Sequence, residues 1–163
     1  MAVRPVRLWP DPVLSRVADP VTDLSAAREL AADMLDTMYD AQGRGLAAPQ
    51  MGVPLRLFVM DAAWKQAAPT PRVFVNPVVL WRSDAVAEGP EGCLSIPGIT
   101  TKVARSMSIR LRWSDLDDAA HEADLTGFDA ICAQHEIDHL DGIVTLDRLS
   151  PEDRAKALAE YRP

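Results

Sequence analysis

Cysteine is scarce in this sequence: Cys93 and Cys132 are the only two in 163 residues. Two isolated thiols cannot build the disulfide framework of a small secreted domain, and reduced cysteines fit an expected cytoplasmic location. Long apolar runs are missing as well. No stretch approaches the roughly eighteen uninterrupted apolar residues of a membrane span, and "MAVRPVRLWPDPVL" has no export-type apolar core, so no membrane association is expected. Basic charge is also short, with 17 Lys and Arg against 24 Asp and Glu for a net charge of −7. That balance is the reverse of a phosphate-gripping surface and argues against direct DNA binding.

What remains is the composition of an ordinary folded protein, 48% hydrophobic and 25% charged, long enough for one cooperative core spanning residues 1–163. From Leu24 to Gln42 the residues Ala27, Leu30, Ala31, Met34, Leu35, Met38 and Tyr39 recur at helical spacing behind a Thr22 or Asp23 cap, and Gly43 stands at the stop. "GRGLAAPQMGVP" then mixes Gly, Pro and small residues, which predicts an irregular loop with close backbone approach. "LRLFVMD" and "RVFVNPVVLW" read as strands. "SMSIRLRW" alternates, with Met107, Ile109, Leu111 and Trp113 expected on the core face. "SDLDDAAHEADL" reads as an acidic turn and leaves His121 exposed. "TGFDAICAQHEIDHL" predicts a helix stopped near Gly142, and "SPEDRAKALAEY" a short terminal helix with a Ser cap and first-turn Pro. The expected fold class is α+β: a mostly antiparallel sheet packed around a central metal-binding helix, with an N-terminal helix and a short C-terminal one.

The chemistry concentrates in "QHEIDH". On a helix His135 and His139 project from one face and can hold one ion, and Glu136 is placed to take a proton from water activated there. With only three histidines in the chain, chance is a poor explanation for this spacing. A catalytic metal usually keeps three protein ligands, and Cys93 in "EGCLSIPG" is the natural third. The other readings of Cys93 are a small buried thiol and an acyl-transfer nucleophile. Cys132, one turn before Glu136, reads as an apolar residue packed beside the site.

"GRGLAAPQ", "EGCLSIPG" and "QHEIDHLDG" together resemble the three signature motifs of the peptide deformylases, in that family's order. The likeness extends to the N-terminal "DPVL" and to "LDRLSP". It implies a metal-dependent hydrolase that removes the formyl group from N-terminal formylmethionine of new polypeptides and releases formate. Carried onto this sequence, Cys93, His135 and His139 hold one metal ion per chain and Glu136 is the general base and acid. Gln50 and the backbone N–H of Leu94 donate to the formyl oxygen. The family implies Fe2+, with Zn2+, Ni2+ or Co2+ able to substitute. It also implies peptide bound as an added strand beside the first motif, with Gly45 allowing close approach and Ile131, Cys132 and Glu91 in the wall of the methionine pocket. Partners are then N-formylmethionyl peptides and nascent chains, leaving room for a weak ribosome contact. One departure from the family pattern is Arg44, which stands between the two glycines where an aliphatic residue is usual and bears on the pocket rim.

Two rivals are open to the same residues. A zinc metallopeptidase would take its third ligand from a downstream carboxylate such as Glu160, although no histidine follows His139 to complete the longer signature. A structural metal site would be closed by four ligands, whereas this one carries a base beside an open position.

Overall fold

The computed structural model describes residues 2–162. Its first long element is α1, Leu24–Asp40, which begins where Asp23 accepts a hydrogen bond from the Ala26 N–H. The N-cap carboxylate satisfies one of the amides left unpaired at a helix start. Ala27, Leu30, Ala31, Met34 and Met38 are buried along one side, as their spacing predicts.

Seven strands follow. β1 (Gly45–Ala47), β2 (Leu57–Met60), β3 (Arg72–Arg82), β6 (Ser108–Ser114) and β7 (Ala120–Thr126) form an antiparallel sheet in the order β1-β2-β3-β6-β7, with β1 at one edge. β4 (Val86–Gly92) and β5 (Thr100–Ser106) form a separate two-stranded ribbon. The register of β3 against β6 shifts between Val75 and Val78. Pro77 there has no N–H to give the ladder, and Asn76, at φ 49°, turns its amide to bond both backbone groups of Val21.

Two more helices complete the chain: α2, Gly127–Leu140, and α3, Pro151–Glu160, which is capped by Ser150. Burial on α2 is not confined to one stripe: Ala130, Cys132, Ala133, Gln134, Glu136, Ile137, Asp138, His139 and Leu140 are all buried. Such a helix lies inside the molecule rather than on it. One side meets the core of Phe58, Phe74, Ile109, Leu111 and Trp113, where Phe58 and Phe74 stack at 4.4 Å between centroids. The α+β class and the antiparallel pairing follow the sequence expectation.

Three local expectations are corrected, and one element was not anticipated. "GRGLAAPQMGVP" makes the expected close backbone approach at Gly45 but is regular over residues 45–51: Gly45–Ala47 pairs with Met60, Val59 and Phe58, and Ala48–Met51 is a 3-10 turn. Met107 is 53% exposed, because it sits at the bend where the chain passes from β5 in the ribbon to β6 in the large sheet, and its N–H bonds the carbonyl of Ala85. The acidic stretch is a turn only as far as Ala119, where Asp115 accepts from the amides of Asp117 and Ala119; the rest is β7. The β4–β5 ribbon gave no strand signal, since "VAEGPEG" is poor in β-formers.

Candidate metal centre and active site

Helix α2 carries His135, Glu136 and His139 inward. The two imidazole centroids lie 5.1 Å apart, as four-residue spacing on a helix provides. Cys93 arrives from elsewhere in the chain, immediately after β4 ends at Gly92, in a turn closed by a 3.0 Å bond from Ile96 N–H to the Cys93 carbonyl. Its Sγ lies 3.4 Å from His139 Nε2, and one donor atom from each of Cys93, His135 and His139 falls within 4.8 Å of the others. A thiolate and two imidazoles converging on one point form the donor set of a divalent transition-metal site.

The rings are held by the fold. Glu91 on β4 receives two 2.9 Å hydrogen bonds from the Arg105 guanidinium on β5, and His135 Nδ1 lies 2.9 Å from Glu91 Oε1. With Nδ1–H turned to the carboxylate, Nε2 of His135 is left free for an ion. Arg105 also donates to Asp138 on α2 at 2.6 Å, and Arg148 donates to the same carboxylate at 2.7 and 3.1 Å. The four charged residues behind His135 thus alternate in sign. Burial alone would push the Glu91 carboxyl up, but the bonds from His135 and Arg105 bring it down to about 2. Burial, with the Arg105 charge nearby, drives His139 well below the usual imidazole range, which keeps it neutral.

Glu136 is 4% exposed and its Oε1 has no hydrogen-bond partner. Burial raises its carboxyl to about 7. Strand β1 passes close in front: a Cβ on Gly45 would lie 2.6 Å from Glu136 Oε2 and 2.8 Å from Cys132 Sγ, so only glycine lets the two elements approach this closely. Gln50 is fully buried at the end of the same segment. Its Oε1 accepts from the Ala47 N–H at 3.0 Å, and its Nε2 lies 3.1 Å from Ser95 Oγ and 3.7 Å from Cys93 Sγ.

A cleft of about 920 Å³ opens over these groups. Arg44, Gly45, Gln50, Glu91, Cys93, Leu94, Ile131, Cys132, His135 and Glu136 all border it, whereas His139 lies deeper, 1% exposed. Each of the candidate site residues is therefore brought to one place. The expectation for Glu91 needs refining: it touches the cleft, but its carboxylate is committed to Arg105 and His135, so it orients a ring rather than forming an apolar wall. Glu160 stands on α3 beside a separate, smaller groove with Lys156 and does not enter the cluster. His121 is exposed, stacked on Trp113 and paired with Asp115 at 2.7 Å.

Sequence reasoning missed Arg105, Asp138, Arg148 and Phe128. Asp138 lies within "QHEIDH" itself, three residues after His135 and on the same side of the helix, which was a usable signal. Nothing local marks Arg105, one arginine among many on strands.

Known proteins resemble this chain over nearly its whole length. Residues 3–155 match the family described as polypeptide deformylase. The chain is 48% identical over 162 residues to a peptide deformylase of Afipia carboxidovorans, covering 99% of this chain and 95% of that protein. Its fold is similar to the crystal structure of a peptide deformylase from Ehrlichia chaffeensis in complex with actinonin, at TM-score 0.92 and 34% identity, covering 98% of this chain and 96% of that one. A peptide deformylase from Thermus thermophilus superposes at TM-score 0.88 with 44% identity, covering 96% and 92% of the two chains.

Proposed function

The chain belongs to the polypeptide deformylase family, and from that membership we propose how its own residues carry out the reaction. It is a metal-dependent hydrolase that removes the formyl group from N-terminal formylmethionine and releases formate. The observation that carries this reading is the convergence of Cys93, His135 and His139 within 4.8 Å, beside a buried carboxylate in the same cleft.

Cys93, His135 and His139 hold one ion per chain. Iron(II) is the ion of this reading, and Zn2+, Ni2+ or Co2+ suit the same thiolate and imidazoles. When bound, the ion supplies Lewis acidity toward the formyl group and toward water. Glu136, its carboxyl pushed up to about 7 by burial, takes a proton from the attacking water and returns it to the amine nitrogen as the carbon–nitrogen bond breaks. Gln50 is held from both ends of its amide, so that its Nε2 is fixed at the Cys93 edge of the cleft. There it donates to the formyl oxygen, as does the backbone N–H of Leu94, while charge builds on that oxygen.

β1 is an edge strand, so its free side can pair with the backbone of the peptide. The methionine side chain then enters the cleft along Ile131 and Cys132. No helix among the described residues is long and apolar enough to cross a membrane, and the substrates of this reading are N-formylmethionyl peptides and nascent chains.

The test is formate release from formyl-Met-Ala-Ser by anaerobically prepared, iron-loaded protein and by its Glu136→Ala variant. Rapid release that the substitution abolishes is expected. Stoichiometric metal without formate release would end the deformylase reading.

A further inference from the structure

We propose that Arg44, assisted by Lys65, makes the mouth of the cleft selective for formylated peptides carrying an acidic side chain in the residues just after the methionine. The proposal rests on the deformylase reading and names a substrate subclass for it. Its basis is a charge imbalance. Although acids outnumber bases in this chain, with 24 Asp and Glu against 17 Lys and Arg, neither Arg44 nor Lys65 lies within salt-bridge distance of a carboxylate among the described residues. Ten other arginines do, from Arg4 near the N-terminus to Arg154 on α3; Arg82, Arg112, Arg162 and Lys102 have no carboxylate partner among the described residues either, but none of them borders the cleft.

Both cations border the cleft and both are supported by aromatic faces. The Arg44 guanidinium lies 5.1 Å from the ring centroid of Phe128, a residue 44% exposed in the first turn of α2. Lys65 Nζ lies 5.7 Å from the ring of Trp64, whose Nε1 donates to the carbonyl of Gly43 at 2.9 Å. That bond ties the second cation to the segment carrying the first. Arg44 Nε is buried without a hydrogen-bond partner. A guanidinium stacked on a ring keeps its in-plane N–H groups available, and a carboxylate is the acceptor that matches their fork.

Arg44 immediately precedes Gly45, the residue packed against Glu136, so its side chain serves substrate positions close to the bond that breaks. The other charged groups facing the cleft are few. Glu91 and Arg105 satisfy each other, and Glu136 is the proposed base. Glu88, exposed on β4, is the one remaining free-standing acid of the lining among the described residues. The cleft therefore offers two cations on the β1 side and a single anion on the β4 side, and the net preference is for an acidic peptide.

The experiment compares formyl-Met-Asp-Ser and formyl-Met-Ala-Asp with formyl-Met-Ala-Ser and formyl-Met-Lys-Ser, all with amidated C-termini, on the iron-loaded full chain and its Arg44→Leu and Arg44→Lys variants. At low salt the better acidic peptide is expected to show a kcat/KM about fivefold above the neutral one, the scale of an exposed ion pair. The gain should lie in KM rather than kcat, since the contact is the same in ground and transition states. It should vanish in Arg44→Leu and largely return in Arg44→Lys. Equal kcat/KM for acidic and neutral peptides, with brisk turnover of both, would overturn the proposal and leave the deformylase reading standing. If no peptide is deformylated, that reading fails instead. The selectivity is then judged from calorimetric binding of the same peptides, where equal affinities for acidic and neutral peptides overturn it.

Discussion

His135 Nδ1 and Glu91 Oε1 lie 2.9 Å apart, joining a ring on the central helix to a carboxylate on the β4–β5 ribbon. This contact fixes which nitrogen of His135 faces the cleft. Replacing Glu91 with Gln keeps the size but loses the charge that holds both Arg105 and the imidazole. Such outer partners typically contribute about 10- to 100-fold to metal affinity. Glu91→Gln should weaken binding by that factor in chelator competition; unchanged affinity would mean that His135 needs no orienting.

Arg105 pairs with both Glu91 and Asp138, and all three side chains are buried. Removing the guanidinium strands two carboxylates away from water, although Arg148 still reaches Asp138. Breaking a buried pair in this way costs about 3–5 kcal/mol. Urea unfolding of Arg105→Met should show a loss of that order, while Arg110→Met, which removes an exposed pair with Asp124, should change stability by less than about 1 kcal/mol.

Gly45→Ala is expected to uncouple activity from folding. The added methyl would lie 2.6 Å from Glu136 Oε2 and 2.8 Å from Cys132 Sγ, so both side-chain ends must give way. A displacement approaching 1 Å at a catalytic group costs about a hundredfold in turnover. The assay is kcat alongside thermal melting: a large fall in kcat with a small change in Tm is expected, and wild-type kcat would show that the strand does not crowd the base.

Cys93→Ser replaces the thiolate by a hydroxyl that stays protonated at neutral pH and binds soft metals poorly. Metal analysis of the purified variant should show well below one ion per chain with a preserved circular dichroism spectrum. Full metal content would return Cys93 to the role of a half-buried thiol.

Both tyrosines of the chain, Tyr39 and Tyr161, are held above the ordinary value of 10.0. For Tyr39 the cause is burial and then its 2.6 Å bond to Asp61; for Tyr161 it is burial and then the nearby Cys93. A pKa raised in the folded state gives stability that is complete below pH 10 and declines as pH rises through the folded values. Absorbance titration at 295 nm should therefore show less than half of the phenolate signal at pH 10, with the signal rising to half when denaturant is added. Half-ionisation of the folded protein at pH 10 would contradict it.

What is local was legible in the order of the residues. Helical spacing placed α1, the stop near Gly142 bounded α2, and "QHEIDH" put two imidazoles on one helix face with a carboxylate beside the first, whatever surrounds it. The segments "GRGLAAPQ" and "EGCLSIPG" named Gly45, Gln50 and Cys93 through family likeness. Tertiary structure alone decided the rest, because it depends on segments distant in the chain. A strand such as "VAEGPEG" forms only when β5 pairs with it, and Met107 leaves the core only because the chain bends there from one sheet into the other. The charge relay from Arg148 through Asp138 and Arg105 to Glu91 has no local signature, since hydrogen-bonded partners on a helix, a ribbon and a loop share no periodicity. The raised carboxyl of Glu136 has the same origin: burial is a property of the packed molecule, and no spacing in the sequence encodes it.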